Sequence, residues 1–230
     1  MKKYVIANWK SHKTLLDAEQ WLETFCQVHQ PDPQVEVIVA PSFICLAPLW
    51  QRLQDNKVVN LALAAQDVSP FPAGSYTGAV AAEMLRGLVD YVLLGHAERR
   101  RYFHETNQEV ARKVSEALAA GLKPIVCVDQ PYLRAQMAAL DDTEANDLMI
   151  GYGPVEAIGV DLPQAPAKTI AVVDEIRALV PGCPILYGGS IKAENAATYM
   201  ALAGVSGLLV GSASLCPEEF SRICKVVAQS

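Results

Sequence analysis

The chain has 230 residues, of which 51% are hydrophobic and 19% are charged, and its formal net charge is -6 at pH 7. A chain of this length can bury a large core, and its composition is too mixed for a disordered protein. The acidic balance and the lack of a dense basic cluster exclude general nucleic-acid binding, because a phosphate backbone attracts concentrated Lys and Arg. We therefore expect one domain over residues 1–230.

The N-terminal segment has two lysines, but only a four-residue apolar run precedes Asn8, which is too short for a signal peptide. No apolar stretch reaches the length of a membrane span, so we expect no membrane contact. The six cysteines are scattered without a CxxC pair or nearby histidines. We therefore predict no metal site, and reduced thiols in a cytoplasmic protein.

Short apolar runs rich in Val, Ile and Leu alternate along the chain with longer stretches of helical period. In chain order, the predicted strands are 4–7, 35–40, 61–65, 91–94, 124–128, 148–150, 185–187 and 208–210. The predicted helices between them include 15–28, 79–88, 107–120, 166–179 and 218–227. This alternation is typical of parallel strands covered by helices, in either a closed (β/α)8 barrel or an open doubly wound sheet.

Several helix boundaries carry their own signals. Thr106 precedes a helix and is followed three residues later by Glu109, a capping box, and Gly121 ends that helix. Pro217 begins the last helix. The first strand is followed by Asn8-Trp9-Lys10 instead of the GxGxxG turn of a dinucleotide-binding sheet, but alternation alone leaves both architectures open.

Polar residues and glycines follow the predicted strands directly, where a barrel would hold its reactive groups. They are Asn8, Lys10, Gln66, His96, Glu98, the segment 153–159, Gly188, Gly189, Ser190, Gly211 and Ser212. Paired glycines in the last two loops let backbone N–H groups approach an anion with no Cβ in the way. The sequence therefore predicts a site for a small phosphorylated sugar or a phosphate anion.

Four fragments resemble the triose-phosphate isomerase family: Asn8-Trp9-Lys10, GHAERR at 95–100, YGGS at 187–190 and LVGSASL at 209–215. The resemblance covers essentially the whole chain, and the short segment 127–152 is similar to compact archaeal forms. It implies a single-domain (β/α)8 TIM barrel that interconverts glyceraldehyde 3-phosphate and dihydroxyacetone phosphate, in glycolysis and gluconeogenesis, without metal or cofactor. It also implies a homodimer or a tetramer, in which the loop 72–78 docks into a neighbouring subunit.

The same resemblance assigns roles to individual residues. Lys10 supplies positive charge to the substrate and the developing oxyanion, His96 polarises the carbonyl, and Asn8 donates a further hydrogen bond. The implied phosphate contacts are Gly159, Ser190 and Gly211. Outside these motifs, a lone lysine would be read as a surface charge and a lone histidine as a structural hydrogen-bonding group. Arg99 is expected to form an ion pair with Glu98 that braces the loop.

The loop after the sixth predicted strand departs from the family pattern. It reads YGPVEAIGVD where the family usually reads YEPVWAIGTG, so the resemblance puts Gly153 at the position of the glutamate that moves the proton. A positioned general base contributes roughly 10²–10⁴-fold, so we expect impaired or altered activity. Glu156 is the alternative base, although we expect it to anchor the loop instead. A non-catalytic binding or structural protein is the alternative function.

Overall fold

The computed structural model describes residues 2–55, 60–140, 148–157 and 162–230, and in it eight parallel strands close into one barrel. The strands are β1 (Lys3–Asn8), β2 (Val35–Ala40), β3 (Leu61–Ala65), β4 (Tyr91–Leu94), β5 (Lys123–Val128), β6 (Met149–Tyr152), β7 (Ile185–Tyr187) and β8 (Val205–Val210). They pair in chain order, and β1 also pairs with β8, which closes the sheet. The predicted (β/α)8 barrel is confirmed, and the open sheet is excluded.

Helices cover the outside of this barrel. They are α1 (Leu15–Val28), α2 (Phe43–Asp55), α3 (Ala97–Phe103), α4 (Asn107–Ala119), α5 (Leu133–Met137), α6 (Pro166–Leu179), α7 (Ala193–Met200) and α8 (Pro217–Gln229). The predicted capping box of Thr106 and Glu109 is present at the start of α4, and Pro217 lies in the first turn of α8. None of these helices is long and apolar enough to cross a membrane.

The helix predicted over 79–88 is wrong. Only Ala82–Leu85 forms a short 3-10 turn there. Arg86 leaves the helical conformation, and Gly87 adopts φ +81, a left-handed backbone that glycine allows without steric cost. Ala82 and Leu85 still bury their side chains, so the apolar period reflects contact with the core in a segment that forms short turns instead of a continuous α-helix.

Side chains of the strands alternate between the barrel interior and the layer under the helices. The interior cluster consists of Ile6, Ile38, Ala40, Ala64, Tyr91, Leu93, Ile125, Cys127, Met149, Leu186 and Leu209. In β5 the inward positions are Ile125 and Cys127, so the next inward position along the chain is Asp129. In β6 the inward position Met149 predicts the same orientation for Gly151 and Gly153. The mouth of the barrel at β5 and β6 therefore presents Asp129 and Gly153.

Candidate active site

A cleft of about 600 Å³ opens at the carboxyl ends of the strands. Its lining includes the predicted site residues Asn8, Lys10, His96, Ser190 and Gly211. These residues follow β1, β4, β7 and β8, so the closed barrel brings together motifs that are up to 200 residues apart in the chain. The predicted phosphate contact Gly159 and the departure at Asp161 lie outside the described residues.

The backbone of Lys10 is held in an unusual conformation directly after β1. Its φ is +53, which is uncommon for a residue other than glycine and is found where surrounding contacts enforce it. The Lys10 N–H donates to Asn8 Oδ1 at 3.1 Å, and the Lys10 carbonyl accepts from Gln66 Nε2 at 2.9 Å. Gln66 also donates to the Ala40 carbonyl at 2.8 Å. Gln66, to which the sequence assigned no role, therefore fixes the backbone from which the Lys10 side chain leaves.

The ammonium group of Lys10 forms an ion pair with Glu98 in the first turn of α3. Lys10 Nζ lies 2.6 Å from Glu98 Oε1, and the two side chains are 23% and 35% exposed. The predicted ion pair between Glu98 and Arg99 is wrong, because consecutive residues of a helix point about 100° apart. Arg99 instead pairs with Asp67 at 2.7 Å and with Glu105 at 3.2 Å.

His96 precedes α3 and is held as a neutral imidazole. Its Nδ1 accepts the backbone N–H of Glu98 at 3.2 Å, and its side chain is 13% exposed. Burial lowers the pKa of His96 to about 4; Glu98 opposes this shift, and the charge of Lys10 acts with it. Although Nδ1 also lies 3.6 Å from Glu98 Oε2, this contact is not an ion pair at pH 7. The proton of the neutral ring therefore resides on Nε2, which can donate to a substrate oxygen.

The loops after β7 and β8 form the part of the cleft predicted to bind an anion. Ser190 adopts φ +49, and its Oγ donates to the Ala157 carbonyl at 2.7 Å, which ties the β7 loop to the β6 loop. A Cβ added to Gly211 would lie 3.9 Å from Lys10 Nζ. The glycine thus leaves the backbone of the β8 loop open to Lys10, so an anion at Gly211 would be within reach of the ammonium group.

The mouth is built differently at β5 and β6. Gly153 follows β6 and donates its N–H to the Val128 carbonyl at 3.0 Å. A second cavity, of about 20 Å³, is lined by His96, Asp129 and Gly153 among others. Asp129 is 4% exposed, and its Oδ1 has no hydrogen-bond partner in the described part of the chain. Asp129 was not among the predicted site residues, although the alternation of Ile125 and Cys127 in β5 indicates an inward carboxylate here.

Glu156 faces α6 and is not among the residues that line the cleft. Its carboxylate forms an ion pair with Lys168 and accepts a hydrogen bond from Gln164 Nε2 at 3.0 Å, and its side chain is 54% exposed. The hydrogen bond from Lys168 is the main cause that lowers the pKa of Glu156 to about 2. Gln164 is itself buried and accepts from Tyr152 Oη at 3.0 Å. These contacts suit the expected loop anchor better than a base.

The closed barrel and the lysine and histidine at its mouth define a (β/α)8 protein with an enzyme-like cleft. The sequence model described as triosephosphate isomerase matches residues 3–227. The chain is 37% identical to triosephosphate isomerase of Symbiobacterium thermophilum, an alignment that covers 98% of this chain and 97% of the relative. It is 35% identical to triosephosphate isomerase of Chlamydia trachomatis serovar L2, over 98% and 90%. The chain belongs to the triosephosphate isomerase family.

The chain is also 36% identical to triosephosphate isomerase of Synechococcus sp. (strain JA-3-3Ab), over 97% of this chain and 94% of the relative. These alignments span nearly the full length of each relative, so the family assignment applies to the whole barrel. The expected likeness to compact archaeal forms stays a prediction.

Proposed function

We propose that the protein interconverts glyceraldehyde 3-phosphate and dihydroxyacetone phosphate without a cofactor, at a rate reduced by the lack of a carboxylate at Gly153. The shared cleft of Lys10 and neutral His96 carries this proposal. Isomerisation through an enediolate needs a cation that stabilises negative charge on the substrate oxygen. It also needs a neutral group that donates a hydrogen bond to the substrate oxygens. Lys10 meets the first need, and the Nε2–H of His96 meets the second.

We propose that the substrate binds in this cleft with its phosphate against the backbone of Ser190 and Gly211 and its carbonyl oxygen between Lys10 and His96. Gly159 stays a predicted further contact, since it lies outside the described residues. The proximity of Gly211 to Lys10 Nζ supports this orientation, because the ammonium charge then acts on both ends of a three-carbon ligand. Removal of one preorganised donor from such a site typically lowers kcat by roughly 10²–10³-fold.

The rate is proposed to be low because the residue at the family's glutamate position is Gly153. A general base contributes roughly 10²–10⁴-fold, and glycine offers no group that accepts a proton. Glu156 is a poor substitute, since Lys168 and Gln164 hold its carboxylate and its pKa is lowered to about 2. The same glycine favours a second candidate function, a non-catalytic protein that binds phosphorylated metabolites in the part of the cleft lined by Lys10, Ser190 and Gly211.

A coupled isomerase assay at high protein concentration tests both candidates. The wild type and Lys10→Ala should be purified in parallel from a host that lacks its own isomerase, so that contamination is measured directly. We expect turnover in the wild type and its loss in Lys10→Ala. Calorimetry with phosphate and 2-phosphoglycolate should accompany the assay. Binding without turnover would identify the binding protein, and no binding at millimolar ligand would contradict both functions.

We also propose that the chain assembles as a homodimer, or as a tetramer, in the cytoplasm. The loop 72–78 carries Tyr76, which stacks on Phe71 with the ring centroids 4.6 Å apart, and the two side chains are 43% and 40% exposed. Such a rigid aromatic pair suits a contact with a second subunit. Light scattering at micromolar concentration should give a multiple of the chain mass, with Tyr76→Ser shifted towards one chain. A stable mass of a single chain for the wild type would refute this assembly.

A further inference from the structure

Asp129 and Gly153 are next to each other across the two strands β5 and β6. The paired residues are Cys127 with Gly151 and Val128 with Tyr152, and the Gly153 N–H continues the ladder to the Val128 carbonyl. The next pair in this register is Asp129 with Gly153. Both occupy inward positions, because orientation alternates along a strand. The side chain of Asp129 therefore lies beside the place where a side chain of residue 153 would project.

Asp129 is a buried carboxylate with an oxygen free to contact a ligand. The residue is 4% exposed, its Oδ1 is unpartnered in the described ranges, and it lines the 20 Å³ cavity together with His96 and Gly153. A buried polar atom without a partner is costly, so native proteins keep one mainly where function requires it. The cavity can hold one water-sized group, so a single substrate atom could contact the carboxylate there.

A buried cation supports the ionised form of Asp129. Arg100 lines the same cavity, is 9% exposed, and donates to the carbonyl oxygens of Gly95 (2.8 Å), Asn107 (2.7 Å) and Gln136 (2.7 Å), which are all neutral. Burial raises the pKa of Asp129, and the charge of Arg100 limits that rise. Burial and the charge of Arg100 thus act in opposite directions on the pKa of Asp129, and a carboxylate with a raised pKa is a stronger base than an exposed aspartate.

Other candidate bases near the cavity are already engaged or protonated. Burial raises the pKa of the Cys127 thiol to about 12, so it holds its proton at neutral pH. Glu98 forms the ion pair with Lys10, and Glu156 is bound to Lys168. Glu219, at the other end of the cleft, accepts the Ala193 N–H at 2.9 Å. Among the described carboxylates at the mouth, Asp129 combines burial, an unpartnered oxygen and contact with the cavity beside His96.

We propose that Asp129 is the catalytic carboxylate that moves the substrate proton, from β5 instead of from the position of Gly153. This assignment rests on the isomerase function proposed above. The absence of a Cβ at Gly153 keeps the space beside Asp129 open. The glycine on β6 therefore makes room for a carboxylate that acts from β5. Aspartate has one methylene fewer than glutamate, so the substrate carbon binds closer to β5.

The chemistry balances without an additional reactant. The Asp129 carboxylate takes a proton from C1 of dihydroxyacetone phosphate, the C–H electron pair becomes the C1=C2 double bond, and the carbonyl pair moves onto O2. Lys10 and the Nε2–H of His96 stabilise the charge on O2. Protonated Asp129 then returns the proton to C2 while the O1 proton is transferred to O2 through His96. The product is glyceraldehyde 3-phosphate, and Asp129 is again ionised.

The decisive variant is Asp129→Asn, with Glu156→Gln as the matched control carboxylate. Asparagine keeps the shape of aspartate and an oxygen that can accept the backbone N–H of Tyr132, the residue before α5, so a purely structural role would survive the change. We expect kcat to fall by at least about 10²-fold with KM within about threefold, and Glu156→Gln to stay within about threefold of the wild type. Asp129→Glu should recover part of the lost rate.

Two further measurements report on the proton itself. Deuterium exchange from solvent into C1 of dihydroxyacetone phosphate should occur with the wild type and fall with kcat in Asp129→Asn. Binding of 2-phosphoglycolate brings the ligand carboxylate against Asp129, and two adjacent carboxylates share one proton. Calorimetry in buffers of different ionisation enthalpy should therefore show uptake of about one proton by the wild type and none by Asp129→Asn.

Each result decides between the two proposals. If the wild type turns over and Asp129→Asn is equally fast, Asp129 is not the base, while the isomerase function stands. If the wild type is no faster than Lys10→Ala, the isomerase function fails and the base assignment fails with it. If Asp129→Asn melts early, proton uptake by the wild type decides: binding of 2-phosphoglycolate without uptake overturns the assignment.

Discussion

The mouth of the barrel has two unlike sides. At β1 and β4 the charged and polar groups have defined partners: Lys10 with Glu98, His96 Nδ1 with the Glu98 N–H, and Asn8 with the Lys10 N–H. At β5 and β6, Gly153 has no side chain, and Asp129 keeps an oxygen without a partner beside a 20 Å³ cavity. The side that stabilises charge is preorganised, whereas the side that would move the proton is open.

With the proposed isomerase function, this difference predicts that the β5 and β6 side limits the rate. A preorganised electrostatic half needs no rearrangement when charge develops on the substrate, and it supplies the larger share of catalysis in many enzymes. A short aspartate side chain can take a proton only if the substrate carbon lies close to it. A small displacement of the substrate would therefore lower the rate strongly. We therefore expect large losses when the charged or polar groups at β1, β4 and β5 are removed, and a gain when a carboxylate is introduced on β6.

The largest effect is expected for Lys10→Ala. Loss of the ammonium group should lower kcat/KM by roughly 10²–10³-fold and weaken the binding of 2-phosphoglycolate, because Lys10 lies beside both the carbonyl site and Gly211. Lys225→Ala, at an exposed lysine of α8, is the control and should match the wild type. The coupled assay and calorimetry provide the two readouts. Unchanged binding in Lys10→Ala would remove Lys10 from the anion site.

The second effect concerns stability and comes from the neutral state of His96. Its pKa is about 4 in the folded protein and 6.5 as a free side chain, so the unfolded chain binds the proton first as the pH falls. The contribution is fully present above pH 6.5 and is lost between pH 6.5 and 4. From pH 7 to 4.5 this single group should lower the free energy of unfolding by about 2 kcal/mol.

Urea unfolding at pH 7, 5.5 and 4.5 measures this contribution. His96→Gln lacks a group that titrates in this range, so its free energy of unfolding should fall less than that of the wild type over the same interval. His12→Gln, at an exposed position, is the control and should follow the wild type. Parallel pH curves for the wild type and His96→Gln would show that His96 is not kept neutral by the fold.

A gain is expected on the open side of the mouth. Gly153→Glu combined with Asp129→Gly moves the carboxylate from β5 to β6 and should raise kcat at least about tenfold above the wild type, the low side of a general base contribution. Gly153→Glu alone should gain less than the combined variant, because two adjacent carboxylates raise each other's pKa. Gly153→Gln is the neutral control. No gain in either glutamate variant would show that a missing carboxylate at residue 153 is not what limits the rate.

The smallest effect is expected for Glu156→Gln. Its carboxylate contacts Lys168 and Gln164 outside the cleft, so its neutralisation should change kcat by less than about threefold and lower stability slightly. Steady-state kinetics and a thermal melt give the two values. A fall in kcat of about 10²-fold with intact 2-phosphoglycolate binding would instead identify Glu156 as the base. The proton-transfer group would then lie on the β6 loop and not at Asp129.

Much of the fold could be predicted because local sequence fixes it. Apolar runs bounded by polar residues set the limits of β2, β3, β4 and β7, and the capping box of Thr106 set the start of α4. The segment 79–88 failed, because burial of Ala82 and Leu85 imitates a helical period where Gly87 and the core contacts favour another backbone. Apolar periodicity shows which side chains are buried. It does not show whether the backbone forms α-helical hydrogen bonds.

For the site, the sequence by itself determined which chemical groups stand at the strand ends: Asn8, Lys10, His96 and a glycine at 153. Only the tertiary structure decided the charged partner of Lys10 and the protonation state of His96. The ion pair of Lys10 with Glu98 joins residues 88 positions apart, and the burial that lowers the pKa of His96 exists only in the closed barrel. The place of Asp129 beside Gly153 depends on the register of β5 and β6, which hydrogen bonds between two distant strands set and which no local pattern encodes.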